Sequence, residues 1–495
     1  MSMILSGLTA SVCYVMSNQH GQTSNCSLKA IVLVFALAMC IYSVCLLTFQ
    51  RPVFALITSL CLLGVVLIVN KTKMNTLREP LVASDLLMYA QVFRFPRLYL
   101  PFLNITSMIV LAIALPVIIG VALYVEERQD IHYPVIILLV LTSGAVFFWM
   151  AKSLKISSDI TKDYPRLGLL ACLAAYFVQS FAVTNRQNFE DILANNVLPV
   201  GADDAELADI VVIQSESFFD VRRLTHDIRW DILETYDEFC TEAHHTGKLN
   251  VPAWGANTLR TEFSFLSGMK NRDLGLYRYY PYFFMQQPNI LTLPKLLQEK
   301  GYKTICIHPY EKDFFGRHQV FETLGFDEFI DIQHFHDADR FGPYVSDASV
   351  ANKITALLES SDQPTFVFAI TMENHGPLYL EDIEESEIEA LTSKTAGKID
   401  RDLAIYTRHI ENTDAMLKQL KAYFTRTKKP ALLGFYGDHL PALSGCFDAY
   451  GFTSNDSDYF IWSNYIEAQS EKCDCAIEQL PSFIVELVNS AKKMA

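Results

Sequence analysis

The chain has 495 residues, 51% of them apolar and only 19% charged, where a typical soluble chain is about 25% charged. Its net charge of −15 divides unevenly, +5 over residues 1–184 and −20 over residues 185–495. A half this acidic repels polyanions, so nucleic-acid binding is excluded, and 21 Gly, 19 Pro and 11 Cys exclude collagen-like, low-complexity and disulfide-scaffold classes.

Along the chain, an apolar run at 3–16 is short and interrupted by Ser, Thr, Cys and Tyr, and it reads as interfacial. Five longer runs follow at about 30–49, 53–70, 103–124, 134–150 and 167–184. Each is near the ~20 residues that a helix needs to cross hydrocarbon. Gln50-Arg51-Pro52 breaks the first pair into a hairpin. Loops 71–102 and 151–166 hold Lys71, Lys73, Arg78, Arg94, Arg97, Lys152, Lys155, Lys162 and Arg166, while the other two loops hold only Arg51 and Arg128. By the excess of Lys and Arg on cytoplasmic loops, the basic loops face the cytoplasm, and five spans put everything beyond 185 outside. Four cysteines lie in the spans and five beyond them, an odd number that cannot all pair, and Cys473-x-Cys475 lacks the C-x-x-C spacing of a zinc or redox site.

After a polar linker at 185–207, residues 208–495 show continuous apolar bursts separated by helix-length stretches, the pattern of a mostly parallel, doubly covered sheet. Four bursts end in a carboxylate or an imidazole. Asp209–Gln214 leads to Glu216, Tyr302–Ile307 to His308, Thr365–Thr371 to Glu373 and His375, and Ala431–Tyr436 to Asp438-His439. Ligands of open α/β sheets bind beyond the carboxyl ends of the strands, so these residues outline a site. Glu216, Asp438 and His439 make a mixed oxygen and nitrogen set suited to Mn²⁺ or Zn²⁺ and less well to Mg²⁺.

Thr258, in Asn257-Thr258-Leu259-Arg260-Thr261-Glu262-Phe263, precedes a helix running to Leu266. There a hydroxyl either caps the helix or, at the positive end of its dipole, attacks a phosphate, and the segment alone favours the cap. Arg317 after Phe314-Phe315-Gly316 either grips a phosphoryl oxygen or forms a surface ion pair. His409, His244-His245 and the acidic run from Glu381 read as solvated, and the aromatic stretch from Tyr277 to Phe284 as core rather than a membrane rim.

Taken together these motifs resemble the lipoteichoic acid synthase and phosphoglycerol transferase family of the alkaline phosphatase and sulfatase superfamily. The resemblance runs over essentially the whole chain and includes Arg78-Glu79-Pro80-Leu81-Val82-Ala83-Ser84-Asp85, similar to that family's cytoplasmic-loop signature. It implies that Glu216, Thr258, Asp438 and His439 hold the metal, with Thr258 the nucleophile. It further implies that Arg317 and His375 hold the glycerophosphate and that His308 and Phe315, where the family carries Trp, line the pocket. The donor it implies is phosphatidylglycerol, the acceptor a cell-envelope glycan or polymer, the metal Mn²⁺, and the place the bacterial cytoplasmic (inner) membrane. The acidic chain, with a pI near 5.3, points to a Gram-negative type. The same chemistry serves phosphoethanolamine transfer to lipid A or glycan, and an inactive envelope-binding protein on this fold is a third reading. A true sulfatase is disfavoured, because no Cys-x-Pro-x-Arg lies near Thr258.

Overall fold

The computed structural model describes residues 27–88, 91, 94–96, 105–199, 208–285, 289–394, 399–427, 429–467 and 471–490. The run at 3–16 lies outside them. The chain divides into two compact units, one of residues up to Asn188 plus Gly275–Tyr279, the other of the remainder.

In the first unit, helix Leu28–Phe49 stops where Gln50 turns left-handed (φ 57°), and helix Pro52–Leu77 starts with Pro52 in its first turn, where a missing N–H costs nothing. Glu126 accepts the backbone N–H groups of Val53 and Phe54 at 2.9 and 2.7 Å, and the Gln129 N–H reaches the Gln50 carbonyl at 2.9 Å. Residues 50–54 and 126–133 therefore share one end of the bundle. At the other end Lys73 is held by Glu79 and Asp85 at 2.8 and 2.7 Å.

Among the described residues three helices are long and apolar enough to cross a membrane: Leu28–Phe49, Pro52–Leu77 and Tyr133–Ser153. Ile105–Val125 is a further helix of 21 residues with Pro116 inside it. The fifth run forms no span. It splits at Gly168, and its apolar part, Leu169–Ser180, has 12 residues, about 18 Å of helix against about 30 Å of hydrocarbon. Its start packs Leu169 and Leu173 on Leu81, beside Leu67 and Val69. At its finish the Gln179 side-chain amide donates to the carbonyls of Ala151 and Leu154 at 2.8 and 2.9 Å. Both ends thus lie where Pro52–Leu77 and Tyr133–Ser153 finish, and among the described residues three helices rather than five are candidate spans. A cytoplasmic position for loop 151–166 and an outer position for the residues after Ser180 cannot both hold.

The aromatic stretch is divided. Tyr277 donates its hydroxyl to the Ser180 carbonyl at 2.9 Å, and the Tyr279 hydroxyl accepts the Ile160 N–H at 2.7 Å, both within the first unit. Tyr280, Tyr282 and Phe284 are buried in the second unit, whereas Phe283 is exposed.

The second unit is built on strands β1 (Asp209–Ser215), β2 (His245–Asn250), β3 (Lys303–Ile307), β4 (Glu328–Ile330), β5 (Arg340–Phe341), β6 (Tyr344–Val345), β7 (Thr365–Ile370), β8 (Ala431–Gly437), β9 (Ser457–Ser463), β10 (Glu471–Lys472) and β11 (Cys475–Ala476). β5 and β6 form a separate hairpin; the others form one sheet in the order β10-β2-β9-β8-β1-β7-β3-β4, with β11 also on β2. The stretch β8-β1-β7-β3-β4 is parallel, but β9 runs antiparallel to β8 and β2 antiparallel to β9. The sheet is mixed rather than mostly parallel.

The four bursts read from the sequence are the four adjacent strands β8, β1, β7 and β3. Their alternate residues face two layers. Val211, Val367 and Leu433 join the core under helices Asp347–Ser360 and Arg401–Thr427, while Phe368 stacks on Phe265 of helix Thr258–Ser267 and Tyr436 packs tilted against the same ring. Coverage on both faces explains why these strands are apolar without alternation. The nine described cysteines are all free.

Candidate active site

Register brings the first cluster together. Ser215 and Gly437 end β1 and β8 as paired residues, so the next residues, Glu216 and Asp438-His439, leave the sheet side by side. Gly437 is required there, because a Cβ would stand 1.8 Å from the Phe218 carbonyl oxygen. Glu216, Asp438 and His439 are buried, and one ligand atom from each lies within 4.8 Å of the others. His439 Nε2 is 3.6 Å from Glu216 Oε1 and 3.5 Å from Asp438 Oδ2.

The surroundings orient these atoms. His439 Nδ1 faces the Leu440 carbonyl at 2.9 Å; a carbonyl only accepts, so the proton sits on Nδ1 and the Nε2 lone pair faces the carboxylates. Ser217, strained at φ 55°, donates its N–H to Asp438 Oδ1 and its hydroxyl to Glu216 Oε1, each at 2.8 Å. Asp438 Oδ2 and His439 Nε2 remain buried with no hydrogen-bond partner. Orphaned lone pairs on two carboxylates and an imidazole suit a divalent cation. Burial, against the pull of His439 and with the push of Glu216, raises the Asp438 carboxyl to about 7. Burial works against protonation of His439, but the charges of Asp438 and Glu216 outweigh it and raise the imidazole.

Thr258 is the first residue of helix Thr258–Ser267, and Asn257, at φ 73°, occupies the cap position. The Thr258 side chain neighbours the Asp438 carboxyl and works to lower its pKa. One turn on, the Thr261 hydroxyl donates to the Asp438 carbonyl at 2.7 Å, fixing the helix start against the end of β8.

A second cluster surrounds Arg317, which is buried rather than at the surface. Its Nη2 and Nε lie 2.9 and 3.2 Å from Glu262 Oε2, and Tyr282 donates to Glu262 Oε1 at 2.5 Å. Arg317 Nη1 meets His308 Nε2 at 3.2 Å. Since guanidinium only donates, His308 is the acceptor, and burial and then the Arg317 charge hold its pKa well below the ordinary value. Phe315, at φ 58°, sets its ring 5.1 Å from the guanidinium carbon of Arg317. Half-buried His375 follows β7, its Nδ1 2.7 Å from the Gly376 carbonyl and 3.2 Å from the Tyr344 hydroxyl. The clusters adjoin electrostatically, as His375 helps depress His308 and Glu216 helps raise the Tyr344 hydroxyl.

Glu262, Ser217 and Tyr344 stand in the site without having been assigned a role from the sequence. The reading of His409, His244 and Glu381 as solvated is wrong: all three are buried. For His409 the signal was present, because it lies on the stripe Leu403, Tyr406, Ile410, Thr413, Leu417, Leu420, all buried on helix Arg401–Thr427 at helical spacing.

Known proteins resemble this chain in sequence and in fold. Residues 208–490 match the family model described as Sulfatase. "Capsular polysaccharide biosynthesis protein RkpI" of Rhizobium meliloti is 30% identical over 435 residues, covering 83% of this chain and 77% of that one. Lipoteichoic acid synthase 1 of Bacillus subtilis is 28% identical over 156 residues, 30% of this chain and 23% of that protein. The structure of lipooligosaccharide phosphoethanolamine transferase A (EptA) from Neisseria meningitidis has the same fold, with a TM-score of 0.55 at 10% identity over 98% of this chain and 95% of that one. The chain belongs to the sulfatase family. Among its sulfatase-family relatives it resembles lipoteichoic acid synthases in sequence.

Proposed function

We propose that this protein moves glycerol phosphate from phosphatidylglycerol to a cell-envelope glycan or polymer at the outer face of the bacterial cytoplasmic membrane. The observation that carries the reading is the Thr258 hydroxyl at the head of a helix beside the Asp438 carboxyl, next to buried lone pairs on Asp438 and His439 that lack partners. Glu216, Asp438, His439 and the Thr258 hydroxyl would hold a divalent cation, Mn²⁺ before Zn²⁺ or Mg²⁺, which when bound lowers the pKa of that hydroxyl and offsets charge on the phosphoryl group.

Thr258 Oγ1 bonds to phosphorus as its proton passes to Asp438, and the bond from phosphorus to the diacylglycerol oxygen breaks. His375, its Nδ1 anchored on the Gly376 carbonyl, gives the departing oxygen a proton from Nε2. An acceptor hydroxyl then attacks the phosphoglycerol on Thr258, its proton passing to His375, and Asp438 returns the first proton to Thr258. Arg317, held by Glu262 and His308, directs its fork at the phosphoryl oxygens. On this reading the loops 71–88 and 151–167 share the outer face, since the chain leaves Ser180 at their end of the bundle.

Intact mass spectrometry of the full-length chain with Mn²⁺ and phosphatidylglycerol tests the reading. A phosphoglycerol adduct in the wild type that is absent from Thr258→Ala is the expected result. An adduct with phosphatidylethanolamine alone would establish phosphoethanolamine transfer instead, and no adduct with either lipid would overturn the covalent route.

A further inference from the structure

We infer that His409 is a positioning residue, a buried cation on helix Arg401–Thr427 that clasps both ends of the loop presenting His375. This rests on the reading of His375 as a substrate-contacting group. The loop leaves β7 through Glu373 and returns at Glu381. His409 Nδ1 lies 3.2 Å from Glu373 Oε1, and its Nε2 lies 3.1 Å from both oxygens of Glu381. Both ring nitrogens face carboxylates, so both must carry hydrogen.

Each carboxylate is seated a second time. Glu373 accepts from Asn412 Nδ2 at 2.6 Å and from the Asp347 N–H at 2.7 Å; Glu381 accepts from Arg408 at 3.1 Å. The β5–β6 hairpin spans the same distance, with the edge of Phe341 against the His409 ring and Tyr344 at His375.

The groups facing His409 are therefore Glu373, Glu381 and Asp347 from neighbouring segments and Arg408 from its own helix. Their charges close. Burial and the Glu373 charge raise the Asp347 carboxyl, favouring its neutral form. That sets the anions Glu373 and Glu381 against the cations His409 and Arg408. Burial opposes charge on His409, but the hydrogen bonds and charges of Glu373 and Glu381 overcome it and raise the imidazole to about 9. Because the folded value lies above the unfolded one of about 6.5, the clasp is complete below that unfolded value and is lost as pH rises through about 9.

The test uses the full-length chain and two variants, His409→Gln and Glu381→Gln, that cut the clasp from opposite sides. Both are expected to lower kcat for transfer by about 10- to 100-fold, as slight misplacement of a reacting group does, with Mn²⁺ affinity unchanged. The wild-type decline in rate above pH 9 should vanish in His409→Gln. Independently of any substrate, chymotrypsin should cut the loop at exposed Tyr379 and Leu380 faster in both variants than in the wild type at pH 7. Wild-type cleavage kinetics in both variants would overturn the clasp whatever the activity. Faster cleavage with no transfer by the wild type would leave the clasp standing and remove the functional reading. Loss of Mn²⁺ binding together with activity would also overturn it, since the effect would then be general unfolding.

Discussion

Side chains one step from the chemistry decide how much of the site is preset. Glu262 sits one turn beyond Thr258, so a single helix carries the proposed nucleophile and the anchor of Arg317 on one face. Arg317 and Glu262 are almost completely buried, and a buried charge stripped of its partner costs about 3–5 kcal/mol. Glu262→Gln should therefore lower the unfolding free energy by that order in denaturant melts, and adding Arg317→Met should restore part of it by removing the stranded charge. If the single variant melts like the wild type, Arg317 is solvated and the buried pair is not what holds it. Ser217→Ala removes the hydroxyl that fixes Glu216. Outer partners of metal ligands typically contribute about 10–100-fold in affinity, so Mn²⁺ titration by calorimetry should show a loss of that order with little change in melting.

At the scale of elements, a parallel pairing places the candidate metal cluster and one glycine lets it form. β1 and β8 end in register at Ser215 and Gly437, and the strand ends then deliver Glu216 and Asp438 to one point. Gly437→Ala would drive a methyl group against the Phe218 carbonyl at 1.8 Å. The expected outcome is loss of Mn²⁺ binding and of Thr258 modification together, checked by calorimetry and intact mass; retention of both would mean that β8 can shift without cost to the site.

Strand ends of this kind were legible because fully covered parallel strands are apolar throughout and stop abruptly at polar residues. Glu216, His308, His375 and Asp438 could be picked out for that reason. β2, His-Thr-Gly-Lys-Leu-Asn, is a polar strand beside the sheet edge, and no apolar run announces it; the reversed strand, β9, is apolar and buried like its neighbours, so composition does not give its direction. His409 was hidden differently. It stands on a helix whose stripe signals burial without saying that two glutamates wait beneath.

The topology of the whole chain turns on whether an apolar helix faces lipid or protein. Tyr133–Ser153 keeps only 11% of its apolar window buried within the protein, as a lipid-facing span does. Leu169–Tyr176 is the reverse, every one of its eight residues being buried. Its apolar composition serves contact with neighbouring helices, and composition alone cannot tell that from a span. Because Gln179 returns to Ala151 and Leu154, positions either side of this helix must report one compartment. Epitope tags inserted after Lys155 and after Asn195 test this in spheroplasts with intact membranes. Both tags should be reached by antibody without permeabilisation, which would set the seven basic residues of 71–88 and 151–167 on the outer face, against the usual bias of Lys and Arg toward the cytoplasm. A tag at 155 shielded while that at 195 is reached would mean that Leu169–Ser180 crosses the bilayer, and the five-span reading would return. Both tags shielded would keep the helix at one face but move the metal site to the cytoplasm, where lipid-linked envelope acceptors would have to be presented from the inner leaflet.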